Sequence, residues 1–111
     1  MDVPERVTAQ LQAYNARDID AFAACFADDC IVEDAEGTLL MRGRAAMHES
    51  YGRMFAASPD LHCRIVSRIV VGDHVLDEER VTGRDGRDGE SHVVAIYRVA
   101  GDLIDHVRFI R

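Results

Sequence analysis

The second half of the chain leaves the fewest folding options. From Leu61 onward, stretches rich in Val, Ile and Tyr are cut by short Gly- and Asp-containing turns: Gly72-Asp73, the GRDGRDG run from Gly83 to Gly89, and Ala100-Gly101-Asp102. β-Branched and aromatic residues suit a pleated, half-buried surface, and Asp-Gly pairs supply the positive φ that tight hairpins require. The pattern predicts four long antiparallel strands, over Leu61–Val71, His74–Thr82, Ser91–Val99 and Leu103–Arg111. The doubled R-D-G is a loop repeat, not a repeat architecture.

The first half follows a helical period. Pro4 suits the first turn of a helix, and Val7, Leu11 and Tyr14 follow at i, i+4, i+7. This helix is expected to stop near Asn15 to Arg17. Asp18 then caps a short second helix carrying Ile19, Phe22, Ala23 and Phe26, which Asp28 and Asp29 break. Cys30 to Ala35 alternates as a strand, Glu36-Gly37 turns it, and Thr38 to Arg42 returns. A third helix runs from about Arg44 to Ala57, buried through Met47, Tyr51, Met54 and Phe55, and Ser58-Pro59-Asp60 ends it. Helices in one half and antiparallel strands in the other make an α+β fold, with the helices on one face of a curved sheet. A curved sheet closed over by helices is a cone, and its interior suits a small apolar molecule.

With 111 residues the chain forms a single domain, 1–111, around one core. The net charge of −7 disfavours nucleic acid and anionic membrane as partners. No apolar run approaches the length needed to cross a bilayer, and MDVPERV lacks the basic-then-apolar order of a secretory signal, so a cytoplasmic protein is expected. Cys25, Cys30 and Cys63 form no C-x-x-C and are expected to be free, buried thiols. The histidines show neither H-x-H nor H-E-x-x-H, so no metal site is expected.

The carboxylates pose the functional question. FADDCIVEDAEG, Phe26 to Gly37, is rich in them, and alternation puts Cys30, Val32 and Asp34 on one side of a strand and Ile31 and Glu33 on the other. Asp34 either enters the cavity or sits solvated at the strand end, capping a turn. Asp77 and Glu79 share a parity with Val75 and Val81, which places them either inward or on a solvated or interface face. On the last strand, His106, Arg108 and Ile110 face one way and Val107 and Phe109 the other. The pattern leaves open which set is inside.

Three stretches carry a family resemblance: YNARDIDAFAACFADDCIVEDAEG (Tyr14 to Gly37), RGRAAMHESY (Arg42 to Tyr51) and AIYRVAGDLIDHVRFIR (Ala95 to Arg111). The chain resembles the superfamily that includes nuclear transport factor 2, ketosteroid isomerase, scytalone dehydratase and the SnoaL-like polyketide cyclases. The resemblance implies a cystatin-like α+β barrel, a cone-shaped curved antiparallel sheet wrapped around N-terminal helices. The first half is most similar to ketosteroid isomerase. That likeness implies Asp34 as general base and Tyr51 as the helical tyrosine supporting the oxyanion network. It places Gln10 where the main oxyanion tyrosine would stand and Ala95 where the oxyanion aspartic acid would stand. Preorganised donors at a developing oxyanion are usually the largest catalytic term, so efficient ketosteroid isomerase activity is not expected. Tyr14, four residues after Gln10 on the same helix face, is a shifted donor.

The implied strand pairing puts Tyr97, His106 and Arg108 in the cavity with Ala95. His106 would act as acid or base near neutral pH. Arg108 would bind a ligand carboxylate or neutralise Asp34 or Glu79. No cofactor is implied. Two functions follow. One is cofactor-independent isomerase, dehydratase or cyclase chemistry on a small, largely apolar carbonyl or hydroxyl compound, with Asp34 moving the proton. The other is a non-catalytic ligand-binding or dimerisation module. A homodimer is expected through an open sheet face carrying Val66, Val70, Val94, Ile96, Val107 and Phe109.

Overall fold

The computed structural model describes residues 1–111. In chain order the elements are α1 (Val3–Ala16), α2 (Ile19–Ala23), β1 (Phe26–Asp34), β2 (Leu39–Arg42), α3 (Arg44–Ala56), β3 (His62–Val71), β4 (His74–Thr82), β5 (Glu90–Ala100) and β6 (Leu103–Ile110), with one 3-10 turn at Arg84–Gly86. No helix is long and apolar enough to cross a membrane.

Local chemistry sets the helix ends. Asp2 caps α1 by accepting from the Glu5 amide at 2.8 Å while Glu5 reaches back to the Asp2 amide at 3.2 Å, a reciprocal box that satisfies two orphan donors. Asp18 caps α2 through the Ala21 amide at 3.1 Å. One boundary departs from the sequence reading. Phe26, Asp28 and Asp29 lie in β1, not at the end of a helix. Tertiary contacts override the helical period there: Phe26 pairs in parallel with Ile104, and Arg44 donates from Nε and Nη2 to the Phe26 carbonyl at 2.8 and 2.6 Å.

The six strands form one sheet in the order β2-β1-β6-β5-β4-β3, antiparallel throughout except where β1 meets β6. The three helices cover its concave side. Phe22 stands at the centre of the core, with ring centroids 4.7 to 6.1 Å from Tyr14, Phe26, Tyr51 and Phe55. Each such pair adds about 0.5–1.5 kcal/mol to the area term. Cys25, Cys30 and Cys63 are free and buried.

Register decides what faces the helices. In β4 the buried residues are Val75, Asp77 and Glu79, and the residues directly opposite them in β5 are Tyr97, Ala95 and Val93. Paired residues share a face. On β6 the inward residues are Ile104, Val107 and Phe109, with a register shift between Arg98 and Val99 carrying the strand past Asp105. Val107 and Phe109 are therefore not on the open face. Val70 leaves that set too, because it pairs with fully buried Val75. The outer face instead carries a cross-strand row of Ile69, Leu76 and Ile96, with Val94 and Ile110 alongside.

Candidate functional site

The cone encloses a cavity of about 110 Å³ with a predominantly apolar lining. Aromatic rings from all three helices and from β6 form much of its wall: Tyr14, Phe22, Tyr51 and Phe109. Met41, Met47 and Met54 add flexible thioethers, which adapt their shape to an occupant.

A short polar chain crosses this wall. Gln10 Nε2 donates to the Tyr97 hydroxyl at 3.2 Å, and that hydroxyl donates onward to Glu79 Oε2 at 3.5 Å. Gln10, Tyr97 and Glu79 are all buried, and all three line the cavity. Burial is the main cause of a Glu79 pKa pushed up to about 7, and the neighbouring Asp77 charge adds to it. Hydrogen bonds from Cys63 and Tyr97, and the positive charge of Arg68, pull in the other direction without offsetting the burial. Glu79 is therefore poised to take or release a proton near neutral pH.

Asp77, two residues away on the same face, meets a different environment. It is fully buried, and Arg68 grips both its oxygens, at 2.6 and 2.9 Å. Thr8 Oγ1 holds the same guanidinium at 2.7 Å. Asp77 is thus committed to a bidentate pair beneath α1, and Glu79 is the carboxylate left for the cavity.

Three phenols surround the space. Burial raises the pKa of Tyr14 and Tyr97 well above the ordinary phenol value and that of Tyr51 to about 12, so all remain hydrogen-bond donors at neutral pH. The Tyr97 hydroxyl is engaged by Gln10 and Glu79. Those of Tyr14 and Tyr51 take no protein partner and are free to meet a ligand.

Of the residues singled out in the sequence, Gln10, Tyr14, Tyr51, Glu79 and Tyr97 meet in this cavity. Ala95 faces inward and is fully buried, but it lies in register between Asp77 and Phe109 and outside the lining. Asp34 is corrected in place. Its Oδ1 accepts from the amides of Glu36 at 3.0 Å and Thr38 at 2.9 Å, which turns the carboxylate into the β1–β2 hairpin and away from the cavity. His106 and Arg108 are corrected as well. With Val107 and Phe109 inside, they stand on the outer face, where His106 Nε2 lies 2.7 Å from Glu33 Oε1 and Arg108 donates to the same oxygen at 2.5 Å. Arg108 first, then His106, holds the Glu33 carboxyl below the usual carboxylate range.

Arg84, Ser91 and Arg111 also line the cavity and carried no usable sequence signal. Ser91 shares the parity of Val93, but Arg84 sits in a loop that reads only as a turn, and Arg111 lies at the chain end.

Comparison with known proteins supports the fold. A cystatin-fold protein from Novosphingobium aromaticivorans is 32% identical, with a TM-score of 0.91 over 100% of this chain and 99% of that one. A protein with a ketosteroid isomerase-like fold from Catenulispora acidiphila, solved in complex with trimethylamine, is 27% identical, with a TM-score of 0.79 over 97% of this chain and 85% of that one. An NTF2-like protein from Cytophaga hutchinsonii shares only 11% identity, yet the TM-score is 0.83 over 99% of this chain and 89% of that one, a likeness of fold alone. The SnoaL-like domain model matches residues 7–107, and the chain belongs to the SnoaL-like domain family.

Proposed function

We propose that the cavity performs cofactor-independent acid–base chemistry, of isomerase, dehydratase or cyclase type, on a small, largely apolar carbonyl compound, and that Glu79 moves the proton. The observation carrying this reading is a carboxylate buried in an apolar cavity with a pKa of about 7, hydrogen-bonded to Tyr97 and not neutralised by an ion pair of its own. Ionised Glu79 takes a proton from the carbon next to the carbonyl. The C–H electron pair becomes the enolate π bond, and the carbonyl π pair moves onto oxygen. The free hydroxyl of Tyr14 or Tyr51 donates to that oxygen. Return of the proton to a different carbon completes an isomerisation and restores the carboxylate.

The test is deuterium exchange at the α-carbon of small enones and ketones in D2O, followed by NMR without any added cofactor. Exchange is expected to rise with pH through about 7 and to fall by about 10²–10⁴-fold in Glu79→Gln. Exchange that is equal in both proteins ends the reading.

A second reading, a binding module without turnover, has its own observation. Gln10 already gives one amide N–H to Tyr97, and Ala95 offers no donor, so neither position carries the acidic tyrosine or aspartic acid donor that the ketosteroid isomerase resemblance names. In that case ligands shift the melting temperature and no exchange occurs. Under either reading, efficient turnover of a 3-keto-Δ5 steroid is not expected.

We further infer a homodimer through the outer sheet face, where Ile69, Leu76, Val94, Ile96 and Ile110 gather. Ile69 and Ile110 are 56% and 47% exposed in the single chain, a cost that a second sheet would remove. Light scattering is expected to give twice the chain mass of 12.4 kDa. Three buried unpaired thiols support a reducing compartment, and with it a cytoplasmic protein.

A further inference from the structure

We propose that the ligand of this cavity is an organic acid, whose carboxylate is held at the mouth by Arg84 and Arg111 while its apolar body fills the interior. This rests on the cavity reading above and names the class of molecule it takes.

Both guanidinium side chains line the cavity, and their positive charge reaches inside it, lowering the pKa of the Tyr51 phenol against the effect of burial. They approach from different elements. The register of Val94 with Ile110, continued by one residue, brings Arg111 beside Val93, which itself pairs with Glu79. Two strand spacings separate Glu79 from Arg111, so their backbones stand roughly 10 Å apart. Arg84 comes from the β4–β5 loop, five residues past Glu79 along the chain.

That loop is fixed. A Cβ at Gly83 would lie 2.3 Å from the Asp60 carbonyl oxygen, so only glycine permits the close approach, and the Asp85 amide donates to the buried Ser58 hydroxyl at 2.8 Å. Arg84 is therefore presented from an anchored position.

The charges at the mouth do not cancel. Asp85 is the one carboxylate near Arg84, at 4.0 Å, and it lies closer to Arg87, at 3.2 Å. Arg111 forms no ion pair; its guanidinium stacks over Phe109, 4.8 Å from the ring centroid, with its donors left free. A chain of net charge −7 repels anions at a distance, so placing two under-neutralised arginines at the mouth of its apolar cavity selects an anionic group locally. A ligand gripped there presents carbon atoms to Glu79 some way along its length. Glu79 itself discourages a second carboxylate at the inner end.

The experiment is calorimetric titration with ω-phenylalkanoates, from phenylacetate to 6-phenylhexanoate, each paired with its primary amide. The acid and amide have nearly the same shape and differ in charge. Wild-type protein is expected to bind at least one acid about tenfold more tightly than its amide, a charge-assisted hydrogen bond being worth more than a neutral one. The preference should shrink as salt is raised, because the mouth is open to solvent. Arg84→Gln/Arg111→Gln is expected to bind acid and amide alike, and a cooperative thermal melt shows that the variant is folded. Equal binding of acid and amide by the wild type, or a preference surviving in the double variant, overturns the proposal. Glu79→Gln keeps the acid preference. Loss of α-proton exchange in that variant without any acid preference in the wild type sinks this inference alone. An acid preference with Glu79-independent exchange sinks the acid–base reading alone.

Discussion

Glu79 and Glu33 lie on opposite faces of the same sheet and have been given opposite properties. Glu79 faces the helices, loses its water and shares a wall with Asp77, so its proton is held up to about pH 7. Glu33 faces outward, where Arg108 and His106 converge on one of its oxygens and hold its proton affinity down. Residue type alone does not distinguish them. What separates them is whether a cation arrives together with the burial. Asp77 makes the same point within one face, being as buried as Glu79 and gripped by Arg68 at both oxygens.

The sharpest way to break the comparison is to make Asp77 resemble Glu79. Arg68→Met removes the partner from a fully buried carboxylate and is expected to cost roughly 3–5 kcal/mol, read from urea unfolding at pH 7. A loss below about 1 kcal/mol would mean that water reaches Asp77 and that the inner face is less dry than the burial indicates.

Glu79 gives the next largest effect, with a defined sign. Its folded pKa of about 7 lies above the unfolded value near 4.5, so the folded chain binds the proton more tightly between those limits. Stability from this group is fully present below about pH 4.5 and is lost as pH rises through 7, a change of roughly 3 kcal/mol. Glu79→Gln should therefore gain on the wild type between pH 5 and pH 8 by about that amount, other groups cancelling in the difference. A wild-type-minus-variant difference that is flat across the range would place Glu79 in contact with solvent.

Glu33 should give the mirror image on a smaller scale. Its folded pKa is lowered, so its contribution is present above the unfolded pKa and lost as pH falls through the folded one. Glu33→Gln is expected to lower the melting temperature at pH 7, less so at high salt, and to converge on the wild type as pH falls through the folded pKa. A pH profile that runs the same way as that of Glu79→Gln would collapse the contrast between the two faces.

The sequence made the fold legible because both halves repeat their signal. Turn chemistry at Gly72-Asp73, Gly83 to Gly89 and Gly101-Asp102 marks each hairpin of the second half, and capping at Asp2 and Asp18 marks the helices. The site was half legible. Gln10, Tyr14, Tyr51 and Tyr97 follow from periodicity combined with the family likeness, and Glu79 from its parity with Val75. The misplacements have two causes. His106 and Arg108 depend on which parity of β6 faces inward, and a register shift near Asp105 settles that, which local pattern does not reveal. Asp34 has the inward parity of Cys30 and Val32, but parity fixes the direction of Cβ and not the next torsion, and two free turn amides captured its carboxylate.

Asp34 gives the smallest expected effect and the most pointed test, because the family likeness implies for it the chemistry that we propose for Glu79. The asparagine side chain keeps an oxygen acceptor for the amides of Glu36 and Thr38, so Asp34→Asn should alter stability by no more than about 0.5 kcal/mol. Asp34→Ala removes the acceptor from the hairpin and should cost about 1 kcal/mol, since those amides are solvent-accessible and water replaces much of what is lost. Neither change should alter α-proton exchange or the binding of phenylalkanoates, whereas Glu79→Gln should lower the first by about 10²–10⁴-fold and spare the second. The decisive comparison is Asp34→Asn beside Glu79→Gln in one exchange assay, with a melt of each protein as control. If exchange collapses in Asp34→Asn while its melt is unchanged and Glu79→Gln still turns over, the carboxylate leaves the hairpin when ligand binds, and Glu79 is a buried bystander.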